Sequence, residues 1–301
     1  MMQVLEAMND LILTRLAPHT HWLPADSTTD RPILGAISGA SGTLLVDSGN
    51  SPAHAHILLR EIARCALPAP RFVMLTHWHW DHVFGTAALD LPTFAHHETA
   101  RIVTIMAGQD WSDAALDQRV ADGREIAFCR DMIAAELPDR TGLTIRPPEI
   151  AFATRIDLDL GGVTCQIDHV GGDHAHDSSV VYVPRDRVVF LGDCIYDDIY
   201  HGPRRLTTAQ LFPLLETLLA YDADYYLAGH HAAPMSRAEL AAEAALLGAI
   251  GRLADRHGDD REKIVAALPE ATGAPLSDEH VEIADAFLAG VRMPNVERKW
   301  F

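Results

Sequence analysis

The most constraining stretch of the chain is Thr76-His77-Trp78-His79-Trp80-Asp81-His82, which follows directly on the apolar run Arg71-Phe72-Val73-Met74-Leu75. Three histidines and an aspartate crowd together where a buried strand would end. Imidazole and carboxylate are the donors that zinc and its neighbours accept. In an extended segment His77 and His79 point the same way, because side chains alternate. Asp81 and His82 then need a turn to converge, with Gly85 close by. One short block cannot fill two coordination shells, so a fold built around it must bring partners from elsewhere.

Three residues at other strand ends are candidates. Asp193 follows Val188-Val189-Phe190-Leu191-Gly192, and His230 follows Tyr225-Tyr226-Leu227-Ala228-Gly229. His174 lies in Gly171–Ser178, just before the apolar run Ser179–Val183. Each lies close to a glycine that permits a tight turn. Singly, each reads equally well as a structural polar residue; together with the block they complete two sites.

Along the chain, short apolar runs bounded by Gly, Pro and Asp alternate with helical spacing. Ile33–Ile37 and Thr43–Val46 flank the turn Ser38–Gly42 as a hairpin. Arg71–Thr76, Thr93–Ala95, Ile150–Ala153, Arg155–Leu160, Val163–Val170, Ser179–Val183, Val188–Leu191 and Tyr225–Leu227 read as strands. His54–Cys65 and Thr208–Tyr221 read as helices, as does Thr99–Glu136 with a break near Gly108–Asp110. Beyond Ser236 the pattern is helical throughout: Ser236–His257, Asp259–Leu268 and Ser277–Leu288. Two halves, residues 30–100 and 150–235, predict an α/β (α+β) fold of two sheets face to face with helices outside. Residues 98–148 and 236–301 read as a helical insertion and a helical C-terminal extension to a single domain spanning 1–301.

Composition narrows the partners. Asp and Glu number 42 against 24 Lys and Arg, a formal charge of -18, and an acidic surface repels phosphate backbones. A small-molecule partner is expected, without nucleic acid. No apolar run is long enough to span a membrane, and Met1–Leu16 has no continuous apolar stretch of the kind a secretion signal needs. Cys65, Cys129, Cys165 and Cys194 are widely spaced, as expected of reduced and mostly buried thiols in a cytoplasmic protein. The C-terminal helices offer a surface on which a homodimer could form.

The order of these motifs, HxHxDH, a later His, an Asp closing a strand and a final Gly-His, resembles the metallo-β-lactamase superfamily over roughly Ile33 to His231. The resemblance implies an αββα sandwich. It also implies that His77, His79 and His174 hold one metal, that Asp81, His82 and His230 hold a second, and that the Asp193 carboxylate bridges them. Asp47, in Leu44-Leu45-Val46-Asp47-Ser48-Gly49, matches the family's first motif, with the implied role of orienting a ligand histidine and its tautomer. The best-known zinc β-lactamases carry a cysteine at the position of Asp193, and the flavodiiron branch a Glu at that of His79. The all-His/Asp set is similar to the glyoxalase, lactonase and general hydrolase branches, usually dizinc.

The resemblance implies a hydrolase with two Zn²⁺ per chain, Fe or Mn being the alternatives. A metal-bound hydroxide, available because coordination lowers the pKa of water from about 15.7 towards ~7, would attack the carbonyl of a small ester, lactone, thioester or amide. Asp81 would orient that hydroxide or carry its proton. Tyr196 stands at Asp-x-x-Tyr spacing from Asp193, as in the acyl-homoserine lactonases, where a similar Tyr hydrogen-bonds the substrate. This favours a lactonase, against a bland reading of Tyr196 as a half-buried loop residue. The alternatives are a mononuclear iron oxygenase of the persulfide dioxygenase type and a small-molecule phosphodiesterase.

Other features are expected to be structural. His54 and His56 open a helix, where i and i+2 share no face, and read as solvated. His96 and His97 read as structural, and His176 and His231 as neighbours of ligands. Cys194 reads as a buried filler, and Trp78 and Trp80 as packing residues. The 98–148 insertion comes soon enough after the first block to roof the site, although its amphipathic runs fit a packing layer or a dimer contact equally well.

Overall fold

Alternate residues of the apolar strands face two different cores, which is why they read as continuous apolar runs. In Val188–Gly192, Val188 and Phe190 pack with Ile37, Leu44 and Met74, whereas Val189 and Leu191 pack with Leu214, Ile250 and Phe287. Leu44 and Met74 share the first of these cores, while Leu45, Val73 and Leu75 turn to a third, with Leu58 and Ile102. Three apolar layers therefore alternate with two sheets.

The computed structural model describes residues 11–293. Residues 1–10, part of the stretch read as lacking an apolar leader, and 294–301, the end of the C-terminal extension, lie outside the described residues. The first sheet runs in chain order: Thr14–Arg15 (β1), Thr20–Leu23 (β2), Leu34–Gly39 (β3), Gly42–Val46 (β4), Pro70–Leu75 (β5), Thr93–His96 (β6) and Ile150–Phe152 (β7). It is antiparallel from β1 to β4 and parallel from β4 to β7. The second comprises Arg155–Asp159 (β8), Thr164–His169 (β9), Ser179–Val183 (β10), Val188–Gly192 (β11), Tyr225–Ala228 (β12) and Met235–Ser236 (β13). In this second sheet only β11 and β12 pair in parallel. The two sheets approach closely at Gly35, where a Cβ would stand 2.6 Å from the Phe190 ring.

Helices cover both outer faces. Pro52–Arg64 (α1), the short turns Trp80–Val83 (α2) and Thr86–Leu89 (α3), His97–Met106 (α4), Asp113–Ala121 (α5) and Ala127–Glu136 (α6) contribute to the core outside the first sheet. Thr208–Ala220 (α7), Arg237–His257 (α8), Arg261–Thr272 (α9) and Asp278–Arg292 (α10) close the second. The result is the expected αββα sandwich with its helical C-terminal region. The expected helical run from Thr99 is interrupted twice, before the Ser112 N-cap of α5 and again before α6. The short strands β1, β2 and β13 escape a periodicity reading because pairing to a neighbour, not apolar alternation, makes them strands. Among the described residues no helix is long and apolar enough to cross a membrane.

Candidate metal centre

β5 ends at Leu75, so the His77–His82 block leaves the sheet. His79 is the N-cap of α2, which carries Asp81 and His82. The pair therefore lies beyond the strand rather than in it: the backbone bends at Thr76–His77, His79 is extended (φ -58°, ψ 146°), and the two rings come to 4.5 Å. On the other sheet, β11 shifts register against β12 between Phe190 and Gly192, and Gly192 adopts φ +52°. That bulge delivers Asp193. A Cβ on Gly229 would overlap Asp193 Oδ1, so glycine there lets β12 end against the carboxylate and hand on to His230. Backbone hydrogen bonds join the sheets at this end, Ile33 N–H to Gly229 O at 2.6 Å and Ser179 N–H to Thr76 O at 2.8 Å.

The seven expected ligand positions converge. His77, His79 and His174 form one group within 4.8 Å and Asp81, His82, Asp193 and His230 form another. Asp193 Oδ2 touches both: it lies 3.3 Å from His230 Nε2, 3.4 Å from His82 Nε2, 3.4 Å from His174 Nε2 and 3.9 Å from His77 Nε2. Asp81 Oδ2 lies 3.0 Å from His82 Nε2 and 3.1 Å from His230 Nε2. The Nε2 atoms of His77, His79, His82 and His174 and Oδ1 of Asp193 are buried with no hydrogen-bond partner. Buried polar atoms are otherwise nearly always satisfied. So many lone pairs facing one point fit divalent cations.

Hydrogen bonds at the far ring nitrogens aim these groups. Asp47 Oδ2 takes His82 Nδ1 at 2.8 Å and the Thr76 hydroxyl at 2.8 Å, while its Oδ1 takes the Thr76 N–H at 2.7 Å. Thr76 Oγ1 in turn lies 3.1 Å from His77 Nδ1. One carboxylate thus orients two histidines, one directly and one through Thr76. His174 Nδ1 lies 2.9 Å from the Asp197 carbonyl oxygen, an acceptor only, so that nitrogen carries the proton and Nε2 is left with its lone pair. Asp30 Oδ1 stands 3.4 Å from His230 Nδ1.

The charge balance calls for cations. Burial, then the neighbouring imidazoles, pulls the pKa values of His77 and His79 well down. Burial acts the same way on His82, His174 and His230, but the carboxylates of Asp193 and Asp81 overcome it and raise all three. Burial would raise Asp81 and Asp193, yet the surrounding histidines hold both below the ordinary carboxylate range. Asp30 differs: burial, then Asp81, pushes its carboxyl up to about 7.

A cavity of about 230 Å³ opens over the cluster, with His79, Asp81, His174, Asp193 and His230 in its floor. Its walls include Asp30, Trp80, Phe128, Tyr196, Ile199 and Tyr200. Phe128 belongs to α6 and is 51% exposed, so the insertion reaches the site. The Tyr196 hydroxyl accepts the His230 backbone N–H at 3.1 Å.

Several of these residues carried no sequence signal. Asp30 sits in a left-handed loop position (φ 60°) far from any motif, and Tyr200 lies in none either, whereas Phe128 belongs to an amphipathic run of the insertion, expected to roof the site, pack or form a dimer contact. Thr76 had one, its place at the head of the block. His54 is a correction: the Ser51 cap and the Gly49 turn enclose it, so it is buried, not solvated. His56 is exposed. His96 is buried and stacks on His169 at 3.9 Å, His97 is exposed, and His176 and His231 are half-buried outside both groups. Trp78 and Trp80 pack in the core as expected, and Trp80 also lines the cavity.

The profile of the metallo-beta-lactamase superfamily matches residues 35–231. No curated protein matches the chain significantly. Among solved structures it is similar to a metallo-beta-lactamase from Pontibacter korlensis, with 20% identity, TM-score 0.52, and 76% of this chain covering 94% of that one. A metallo-beta-lactamase family protein from Thermus thermophilus gives 18% identity and TM-score 0.56, with 93% of this chain and 94% of that chain covered. The inverting sec-alkylsulfatase of a Pseudomonas species gives 14% identity and TM-score 0.65 over 94% of this chain, which spans 50% of that longer protein. At these identities the likenesses speak for the fold, and with the profile match over most of its length the chain belongs to the metallo-beta-lactamase superfamily.

Proposed function

We propose that the chain is a metal-dependent hydrolase of small molecules that holds two divalent cations, zinc by preference. His77, His79 and His174 would hold one, Asp81, His82 and His230 the other, with the Asp193 carboxylate shared between them. The observation that carries this reading is the set of partnerless nitrogens converging on ionised Asp193. When bound, such ions polarise a carbonyl and make a nucleophile available at neutral pH.

The chain's own groups supply the rest. Asp81, held ionised by the surrounding histidines at the cavity floor, is placed to accept a hydrogen bond from the attacking nucleophile and orient it. The Tyr196 oxygen accepts the His230 N–H, so its own proton is not spent in that bond and serves a substrate oxygen in the cavity. Burial raises this phenol further above its usual range, which keeps it a donor. A donor beside the metal centre suits an oxygen that gains charge during attack, which supports a lactone or related ester as substrate. A cavity of about 230 Å³ and a net charge of -18 favour a small molecule over a polyanion.

The test is a panel of lactones, esters, thioesters, β-lactams, phosphodiesters and alkyl sulfates on metal-loaded protein, with metal analysis of protein purified without added metal. Two zinc ions per chain and a lactone turnover abolished by His79→Ala are expected. A drop of about a hundredfold with Tyr196→Phe would support the donor role, and full retention would discard it. One iron per chain with oxygen uptake would end the hydrolase reading.

A further inference from the structure

We propose that Glu136, the last residue of α6, is a positioning residue for the cation assigned to Asp81, His82 and His230: it clamps the loop whose Asp30 sets the ring of His230. The proposal rests on the reading of the cluster as a two-cation site. Asp30 Oδ1 stands 3.4 Å from His230 Nδ1, while Nε2 of the same ring lies 3.1 Å from Asp81 Oδ2 and 3.3 Å from Asp193 Oδ2. One nitrogen thus faces the ligand group and the other faces Asp30. A carboxylate beside Nδ1 favours the proton there and leaves the Nε2 lone pair for a cation.

Asp30 keeps this place in a backbone conformation that side chains with a Cβ rarely adopt, with φ at 60°. Such strain persists only where the surroundings over-determine it, and here both flanking peptide planes are tied. The Thr29 carbonyl takes the Asn50 amide at 2.7 Å, and the Arg31 N–H donates to the Asp26 carbonyl at 2.9 Å. The side chains on either side of Asp30 then end on one carboxylate. Glu136 Oε2 takes the Thr29 hydroxyl at 2.5 Å and Arg31 Nε at 3.1 Å. Its Oε1 takes Arg31 Nη2 at 2.8 Å and the hydroxyl of Ser51, the N-cap of α1, at 2.5 Å. The Glu136 side chain is only 3% exposed, so these donors, not water, hold it.

α6 begins beside the cavity, where Phe128 and Cys129 form part of the wall. The same helix therefore walls the cavity with its first turn and steadies His230 through its last residue. A brace with no task beyond the fold would not need an aspartate at position 30, where glycine adopts the left-handed conformation without strain.

Cobalt(II) is the probe. The metal-free full chain, titrated and followed by its d–d absorption, is expected to take up two equivalents. Asp30→Gly should weaken one of them about 10- to 100-fold and leave the other unchanged. Glu136→Gln should weaken the same equivalent about threefold or more in the otherwise wild-type chain, and add nothing in the Asp30→Gly background. Should Glu136→Gln fail to fold, Thr29→Val, which removes one of its donors, is read in the same cycle. Unchanged affinities in Asp30→Gly, equal weakening of both equivalents, or a clamp variant with the same effect in both backgrounds would overturn the proposal and leave the two-cation reading intact. A wild-type chain that takes up a single cobalt would overturn both.

Discussion

Asp47 Oδ2 and His82 Nδ1 meet at 2.8 Å, both fully buried, and the same carboxylate takes the backbone N–H and the hydroxyl of Thr76. This contact fixes which nitrogen of His82 carries the proton. Asp47→Asn keeps the shape but cannot satisfy Thr76 and His82 with the same polarity. The variant should bind the metal at His82 about 10- to 100-fold more weakly. Competition with a chromophoric chelator measures it; an unchanged affinity would mean that Asp47 only braces the turn.

Gly229→Ala should empty the site by crowding rather than by chemistry. The added Cβ overlaps Asp193 Oδ1, and the shift needed moves the carboxylate that touches both ligand groups. Metal content by mass spectrometry under native conditions should fall below half of the wild-type value. Full loading would show that β12 can retreat at no cost to Asp193.

Phe128 is a large apolar side chain, half exposed, at the mouth of the cavity. Phe128→Ala should raise KM for substrates carrying an apolar substituent by about tenfold, roughly the worth of burying one such group. Metal content should stay unchanged. Identical substrate preference in the variant would make α6 a packing layer and not a roof.

His54 should make the protein acid-sensitive. Burial lowers its pKa to about 3 from 6.5, and neither ring nitrogen has a partner. Between those values the unfolded chain binds a proton that the folded chain refuses, so stability is full above about 6.5 and falls as pH drops towards 3. The slope from this residue is at most about 1.4 kcal/mol per pH unit. His54→Leu should lose that share of the difference between urea melts at pH 7 and pH 5. Equal slopes in both proteins would sink the assignment.

Much of this was legible in residues that obey local rules. β10 and β11 are mostly apolar because both their faces are covered, and Asp193 and His230 lie where such runs stop at a glycine. Distance-dependent facts were not legible. Nothing local distinguishes Asp30 from any loop aspartate, and its place beside His230 comes from a left-handed turn and the packing of two sheets. His54 misled for the same reason: helical spacing reports which face it shares, but not that Gly49 leaves room for its ring.

The candidate ligands come from both sheets, Asp81 and His230 standing 149 residues apart in the chain. A divalent ion there would be a cross-link between distant segments, closing loops whose entropy cost grows only slowly with length. Metal uptake and the docking of the two sheets then become a single equilibrium. A chelator should accordingly loosen the seam where β5, β11 and β12 end before it disturbs the helices behind them, and hydrogen exchange at Ile33 and Ser179 would register that first.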